Sequence, residues 1–184
     1  MRDAANTSTL WLAILGLIRQ EPRSGYDLQK VFSTTPMGHF SASPGAIYPA
    51  LKRFEDGGLV EGRVDDEREL RPRKLYSLTP KGEEALRRRI SRPVTRDDVI
   101  WHLDDVMLRF AFGGAMLGRD WALAFLEELA GQIESYVSYL DEQLGALDEE
   151  GGPYGRYALE HGAAMYRAAG RWARRVIEEL KKED

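Results

Sequence analysis

The ordered series of short helix, turn and hairpin signals in residues 1–90 is the feature that most restricts the fold. Thr7 or Ser8 can cap a first helix, and Pro22 ends it because a residue that precedes proline is pushed out of the helical region. Ser24 can cap a second short helix, since a serine hydroxyl accepts from the free amides of a first turn. Two short helices are therefore expected at the start of the chain.

A third helix is predicted over residues 43–57. Ser43 is a suitable N-cap, and Pro44 occupies the first helical position, where its missing N–H costs nothing. Gly57-Gly58 supplies the left-handed conformation that often ends a helix. Residues 59–64 and 74–78 then read as two short strands joined by a loop, which makes a wing over 59–78. Three helices followed by a two-stranded hairpin are the order of a winged helix-turn-helix.

Residues 91–184 have a different pattern, in which long amphipathic helices dominate. A shorter helix is predicted over 94–117, and a long one follows from Asp120 with a coiled-coil-like seam at Leu126, Leu129, Ile133, Tyr136, Leu140, Leu144 and Leu147. After a break at 149–153, a last helix carries Tyr157, His161, Ala164, Met165, Ala168, Trp172, Val176 and Leu180 on one side. The fold expected is mainly α, with a winged helix over 1–90 and a helical dimerisation domain over 91–184. A self-contained helical hairpin packed on the first domain is the alternative.

The outward face of the third helix suggests what it touches. Ile47, Ala50, Leu51 and Phe54 fall on one side as a core face, whereas Tyr48 and Lys52 fall on the other with Arg53 at its edge. A helix in a DNA major groove contacts base edges with its N-terminal residues, which here include Ser41, Ser43 and Tyr48. This pattern favours DNA as the partner.

Cations on the second wing strand support that interpretation. Arg71, Arg73 and Lys74 lie within four residues, beside a proline that stiffens the chain. The wing tip over 65–69 is acidic, so we expect contacts from the base of the wing. A winged helix that binds protein, or that senses a small molecule without specific DNA binding, is the alternative.

Charge and composition restrict the partners further. The net charge is −4, but residues 1–90 hold 15 Lys and Arg against 12 Asp and Glu, whereas residues 91–184 hold 11 against 18. A polyanion should therefore meet the first half. The chain has no cysteine, which suits a reducing cytoplasm. The apolar run over 10–18 is about half the length that spans a bilayer, so no membrane partner is expected.

Catalysis and metal binding have little support. His39, His102 and His161 show no ligand spacing, and neither a phosphate-binding glycine loop nor a nucleophile motif occurs. We therefore expect no enzyme activity, no metal and no cofactor. The second half is rich in aromatic residues, which belong more often to a core or an interface than to a pocket. If a small-molecule site exists there, Trp101 and Met107 are the first candidates.

Several segments resemble the PadR family of bacterial transcriptional regulators. They are SGYDL over 24–28, SPGAIYPAL over 43–51, GLV over 58–60 and PRKLYSLTPKG over 72–82, joined less specifically by LRFAFGG over 108–114. The resemblance implies a homodimeric repressor whose C-terminal helices pair two winged helices on an inverted-repeat operator. It also implies a hydrophobic or aromatic small-molecule effector.

The resemblance assigns residues to DNA contacts as well. It places Ser41, Ser43, Tyr48, Lys52 and Arg53 on the recognition helix, Tyr26 on the second helix, and Arg71, Arg73 and Lys74 on the wing. The acidic wing tip departs from the family pattern and makes the extent of wing contact an open question.

Overall fold

A computed structural model describes residues 8–37, 44–65, 73–147 and 153–182. The chain divides into two compact units, Met1–Arg92 and Pro93–Asp184. The division falls two residues after the boundary expected from the sequence. Three residues predicted to contact DNA, Ser41, Ser43 and Arg71, lie outside the described residues.

The first unit is a winged helix. Its elements are α1 (Thr9–Gln20), β1 (Arg23–Ser24), α2 (Gly25–Thr34), a 3-10 turn (Pro44–Ala46), α3 (Ile47–Asp56), β2 (Val60–Asp65), β3 (Arg73–Leu78) and α4 (Pro80–Ile90). Ser8, Ser24 and Thr79 cap α1, α2 and α4 with their hydroxyls, because each accepts from a backbone amide of the first turn. Local capping signals therefore set the start of three of the four helices of this unit.

The core of this unit forms around α1. Trp11 to Ile18 of that helix are buried without interruption, so α1 is covered on most of its surface. The core face of α3 lies against the rest of the unit as expected, with Ile47, Ala50, Leu51 and Phe54 buried. The rings of Trp11 and Phe54 meet edge to face at 6.4 Å between centroids, which joins α1 to α3.

Two local predictions about α3 need correction. Residues 44–46 form a 3-10 turn, so the α-helix begins at Ile47 rather than at residue 43. Gly57 keeps a right-handed conformation, and Gly58, with φ of 67°, is the residue that leaves the helix through the left-handed region. The turn tightens the entry to α3 and leaves the predicted faces of the helix unchanged.

The sheet has three strands, one more than the predicted hairpin. The wing strands β2 and β3 pair antiparallel from Val60 with Leu78 to Asp65 with Arg73. The two-residue strand β1 pairs with the other edge of β3 through Arg23 with Tyr76 and Ser24 with Leu75. This added strand fixes the N-terminus of α2 beside the wing.

The second unit is helical. It consists of α5 (Arg96–Trp101), α6 (Leu103–Leu117), α7 (Arg119–Ala146) and α8 (Pro153–Lys182). Its core contains Val99, Val106, Phe125, Leu126, Leu129, Ile133, Ala173 and Ile177. The helix predicted over 94–117 is in fact two helices, because His102 takes a non-helical conformation (φ −139°, ψ 32°) between α5 and α6.

Two polar contacts hold α5 in this unit. The side chain of Arg109 is fully buried, and its guanidinium lies 3.7 Å from the Asp98 carboxylate of α5. The hydroxyl of Tyr166 on α8 donates to the carbonyls of Val99 and Ile100 at 3.4 Å, near the end of α5. The Tyr166 contacts engage backbone carbonyls near the C-terminus of α5, where a helix has no amides of its own to pair with them.

The predicted apolar face of α8 is only partly covered within the chain. Ala163, Gly170, Ala173 and Ile177 are the buried residues of α8, and they lie on a different side from the predicted face. Trp172, Val176 and Leu180 pack at the edge of the core. The first half of the predicted face stays exposed, with Tyr157 at 60% and Met165 at 61%, and Tyr154, one turn before that face, is 83% exposed. We call Tyr154, Tyr157, Ala158, His161, Ala164, Met165 and Ala168 the α8 stripe.

The described helices include none with the length and apolar character needed to cross a membrane.

Candidate nucleic-acid interface

One surface of the winged helix unites four of the residues predicted to contact DNA. Tyr26 at the start of α2, Tyr48 on α3, and Arg73 and Lys74 on β3 line a single open cavity of about 610 Å³. Tyr26 is 67% exposed and Tyr48 is 54% exposed, so both rings offer their faces and hydroxyls to a partner. An aromatic pair beside two cations suits a nucleic-acid backbone, because phosphate oxygens accept from both kinds of side chain.

The cavity also contains residues that the sequence did not single out. Ser24, Gly25 and Tyr76 complete its lining. Tyr76 lies under Lys74, whose ammonium is 5.3 Å from the ring centroid. The alternation of Lys74-Leu75-Tyr76 on one strand could have pointed to Tyr76. The roles of Ser24 and Gly25 depend on the pairing of β1 with β3, which is not visible in the sequence.

The two remaining described candidates lie on α3. Lys52 and Arg53 are exposed there, beside the buried Leu51, and neither lines the cavity. Lys52 is one turn beyond Tyr48 on the outward face, as the helical period predicts. The described candidates therefore form a cavity group of four residues and a helix group of two.

Carboxylates accompany the cations of this surface. The Lys52 ammonium lies 3.1 Å from the Asp56 carboxylate. Asp56 therefore adds a negative charge to the outward face of α3. Lys74 contacts Glu55 at 2.7 Å, and Arg73 lies 3.2 Å from Asp65 of β2. These ion pairs engage three cations, so any anionic partner would have to compete with the carboxylates for them.

Asp27 organises the base of the wing. It receives hydrogen bonds from the Ser24 hydroxyl and amide at 2.7 and 3.0 Å, and Arg73 lies 3.4 Å away. Burial acts to raise the pKa of Asp27, but the Ser24 hydrogen bonds and the charges of Arg73 and Arg23 outweigh it and leave the pKa below 3.8. Asp27 is thus a stable anion that caps α2 and holds Arg73 toward the cavity.

The pKa of Lys74 is raised, whereas that of Asp27 is lowered. Its hydrogen bond to Glu55 raises the pKa of Lys74 above its usual 10.5, so the ammonium is charged at any physiological pH. The cationic character of the cavity is therefore constant across that range.

The two residues predicted to bind an effector lie in the second unit. Trp101, at the end of α5, is 73% exposed, whereas Met107 on α6 is half-buried against the core. A separate cavity of about 490 Å³ opens between α7 and α8, and its lining includes Val137, Tyr166 and Arg171 but neither Trp101 nor Met107. Within the described part of the chain, no group of three or more His, Asp or Glu side chains is arranged to hold a metal ion.

Comparison with known proteins agrees with the geometry of the first unit. Residues 14–88 match the model of the "Transcriptional regulator PadR-like family", which covers the winged helix from α1 to α4. The N-terminal unit of the chain is therefore similar to the PadR-like family. The resemblance found in the sequence is confirmed, and so is the mainly α winged-helix fold.

Two curated proteins that are similar to this chain are described as transcriptional regulators. The chain is 29% identical over 117 residues to the negative transcriptional regulator PadR of Bacillus subtilis, which spans 64% of this chain and 63% of that protein. It is 30% identical over 77 residues to the transcriptional regulator YqjI of Escherichia coli, spanning 42% of this chain and 35% of that protein. The chain thus matches less than two thirds of the length of either relative.

A solved structure is also similar. The crystal structure of B. subtilis PadR in complex with operator DNA aligns with a TM-score of 0.44 at 25% identity, covering 93% of this chain and 98% of that one.

Proposed function

We propose that this PadR-like chain is a homodimeric transcriptional repressor that binds an inverted-repeat operator. The observation that carries the proposal is the convergence of Tyr26, Tyr48, Arg73 and Lys74 on one open cavity beside the outward face of α3. The match of residues 14–88 to the PadR-like family model also supports the proposal.

The proposed contacts divide into two kinds. Lys52 and Arg53 on α3, with Arg73 and Lys74 on β3, neutralise phosphates, and Tyr26 donates to them from the start of α2. Tyr48 lies nearest the N-terminal end of α3, where recognition helices approach base edges. Ser41, Ser43 and Arg71 complete the proposed set from outside the described residues. A cytoplasmic location is part of the same proposal, because the proposed operator DNA would be there.

The α8 stripe supports the proposed dimer. Tyr154, Tyr157 and Met165 expose large apolar surface on the side of α8 that faces away from α7. A second copy of the same stripe would cover this surface in a twofold arrangement, which is the commonest symmetry of protein dimers. Two recognition helices related in this way meet half-sites about 34 Å apart, roughly one turn of DNA.

An effector site belongs to the same proposal. Trp101 offers an exposed indole, with Met107 nearby in sequence, so a hydrophobic or aromatic small molecule is the proposed ligand class. Titration of such compounds against Trp101→Phe and the unchanged protein, read by DNA affinity, tests this assignment. An equal response of both proteins to an active compound would contradict a role for Trp101.

The experiment that tests the whole proposal is a measurement of DNA binding by fluorescence anisotropy. The purified protein is titrated into intergenic DNA from upstream of its own gene and into a scrambled duplex of the same composition, at several salt concentrations. Specific binding that weakens with salt is the expected result, and its slope counts the phosphate contacts. Equal or absent binding to both duplexes would contradict regulation at that site and favour a winged helix that binds protein.

A further inference from the structure

Gly25, the first residue of α2, lies directly beneath the ring of Tyr48 on α3. A Cβ atom built on Gly25 would lie 2.5 Å from Cε1 of Tyr48 and 3.1 Å from both Cδ1 and Cζ. Real Cβ atoms do not approach carbon so closely, so any side chain at position 25 would displace the ring. The absence of a side chain at this position is what allows Tyr48 to lie where it does.

Backbone conformation does not account for this glycine. Gly58 and Gly118 are the glycines with positive φ among the described residues, and Gly25 begins α2 with the geometry of an ordinary helical residue. Alanine could adopt that conformation, and it is favoured over glycine in helices. The reason for glycine at position 25 therefore lies in the space that the ring of Tyr48 occupies.

The contact is not part of the hydrophobic core. Gly25 is buried, but the ring that covers it is 54% exposed and borders the cavity that also contains Tyr26, Arg73 and Lys74. A half-exposed ring contributes less to folding than a core ring, because much of its surface stays in water. Its placement consequently affects a partner in the cavity more than the stability of the unit.

We propose that Gly25 is a positioning residue for DNA binding that acts by seating the Tyr48 ring. This inference rests on the proposed function, since it assumes that Tyr48 meets DNA. A seated ring enters the complex with its orientation already set, so less side-chain freedom is lost on binding. The segments 24–28 and 43–51 thus meet at one contact that orients the N-terminal part of the recognition helix.

A double-mutant cycle tests the inference. Four full-length proteins are compared: the unchanged chain, Gly25→Ala, Tyr48→Ala and the double variant. Each is titrated by fluorescence anisotropy against the upstream intergenic duplex and the scrambled duplex. We expect Gly25→Ala to weaken specific binding about tenfold in the unchanged background and by less than about twofold when Tyr48 is already alanine.

A matched control separates this effect from a general effect of the exchange. Gly131→Ala makes the same change within α7, where a Cβ would meet nothing within 4 Å. It should leave DNA affinity unchanged. Thermal unfolding followed by circular dichroism should give Gly25→Ala a Tm equal to or above that of the unchanged protein, because the ring can swing away at little cost.

Each outcome distinguishes the inference from the function beneath it. If the unchanged protein binds both duplexes with the same affinity, the proposed function is contradicted. The inference about Gly25 is then contradicted too, because it assumes specific DNA binding. If the unchanged protein binds specifically and Gly25→Ala binds with the same affinity, only the inference about Gly25 is overturned. Equal weakening in both backgrounds also overturns it, because Gly25 would then act without Tyr48. If Gly25→Ala does not fold, the double variant should still fold, because it lacks the Tyr48 ring that the new Cβ would meet. Failure of both variants to fold would contradict the inference.

Discussion

The exposed faces of α3 and α8 differ in chemistry, although both belong to amphipathic helices of one chain. On α3 the exposed residues include Tyr48 and the ion pair of Lys52 with Asp56. On α8 they include Tyr154, Tyr157 and Met165, large apolar side chains beside alanines. Charges that are already paired can exchange partners with a polyanion, whereas apolar surface gains most from another apolar surface. This difference supports the proposal that the first face meets DNA and the second face meets another copy of the chain.

Met165→Glu on the α8 stripe is expected to have the largest effect. A twofold interface would bring the two new carboxylates together and remove them from water, which should weaken dimerisation about 100-fold. Analytical ultracentrifugation over a concentration series measures the change. Lys182→Glu, at the exposed end of the same helix, is the control and should leave the dimer intact. An unchanged association constant for Met165→Glu would break the comparison on the α8 side.

Lys52→Ala tests the other face. Loss of one phosphate contact should lower DNA affinity about tenfold at 0.1 M salt and reduce the salt slope by about one for each half-site. The reduction should be the same for operator and scrambled duplexes, because a phosphate contact carries no sequence information. Tyr48→Ala serves as the contrast, since it should change the ratio between the two duplexes. Unchanged affinity after Lys52→Ala would show that the docking face is wrong.

Asp27→Asn tests the support beneath the cavity. Loss of the carboxylate that caps α2 should lower the free energy of unfolding at pH 7 by about 1 kcal/mol. Because the folded pKa of Asp27 lies below its unfolded value, this contribution is present above about pH 4 and disappears as the pH falls through the folded pKa. Urea unfolding at several pH values should therefore show the two proteins converging below about pH 4.

The control for that experiment is Glu142→Gln, which removes an exposed carboxylate near the C-terminal end of α7. It should change stability by less than about 0.5 kcal/mol at every pH. A constant difference between Asp27→Asn and the unchanged protein down to pH 2 would contradict the capping role.

Asp56→Asn has the smallest expected effect, and it should raise DNA affinity, whereas Lys52→Ala should lower it. It releases Lys52 from its ion pair, which as a surface pair contributes little to stability. DNA affinity should rise about threefold, since binding no longer has to break that pair. Anisotropy titrations at low salt detect the change. A fall in affinity would mean that Asp56 helps to orient Lys52 rather than to compete for it.

Local signals explain what the sequence predicted well. The caps at Ser8 and Ser24 and the helical period that buries Ile47 and Leu51 act within one or two turns of helix, so they can be recognised in the sequence alone. The order of helices and wing followed from them. The exposure of Tyr48 and Lys52 followed from the same period.

Features that depend on distant partners were missed. The strand β1 exists only because Arg23 and Ser24 pair with β3, some fifty residues further along the chain. The ion pair of Lys74 with Glu55 joins the wing to α3 in the same way. On α8, apolar residues occur on two sides, so periodicity alone could not show which side α7 covers. The break at His102 has no proline or glycine to mark it.

Met165 and Tyr166 are neighbours on α8, about 100° apart around the helix axis, and they have different surroundings. The first is largely exposed in the α8 stripe, while the hydroxyl of the second holds the carbonyls of Val99 and Ile100 at the end of α5. A helix is stiff over one peptide unit, so a roll of α8 that accommodates a partner at Met165 also displaces the Tyr166 hydroxyl. If the proposed dimer forms through the α8 stripe, its formation and the position of α5 would therefore be coupled through α8.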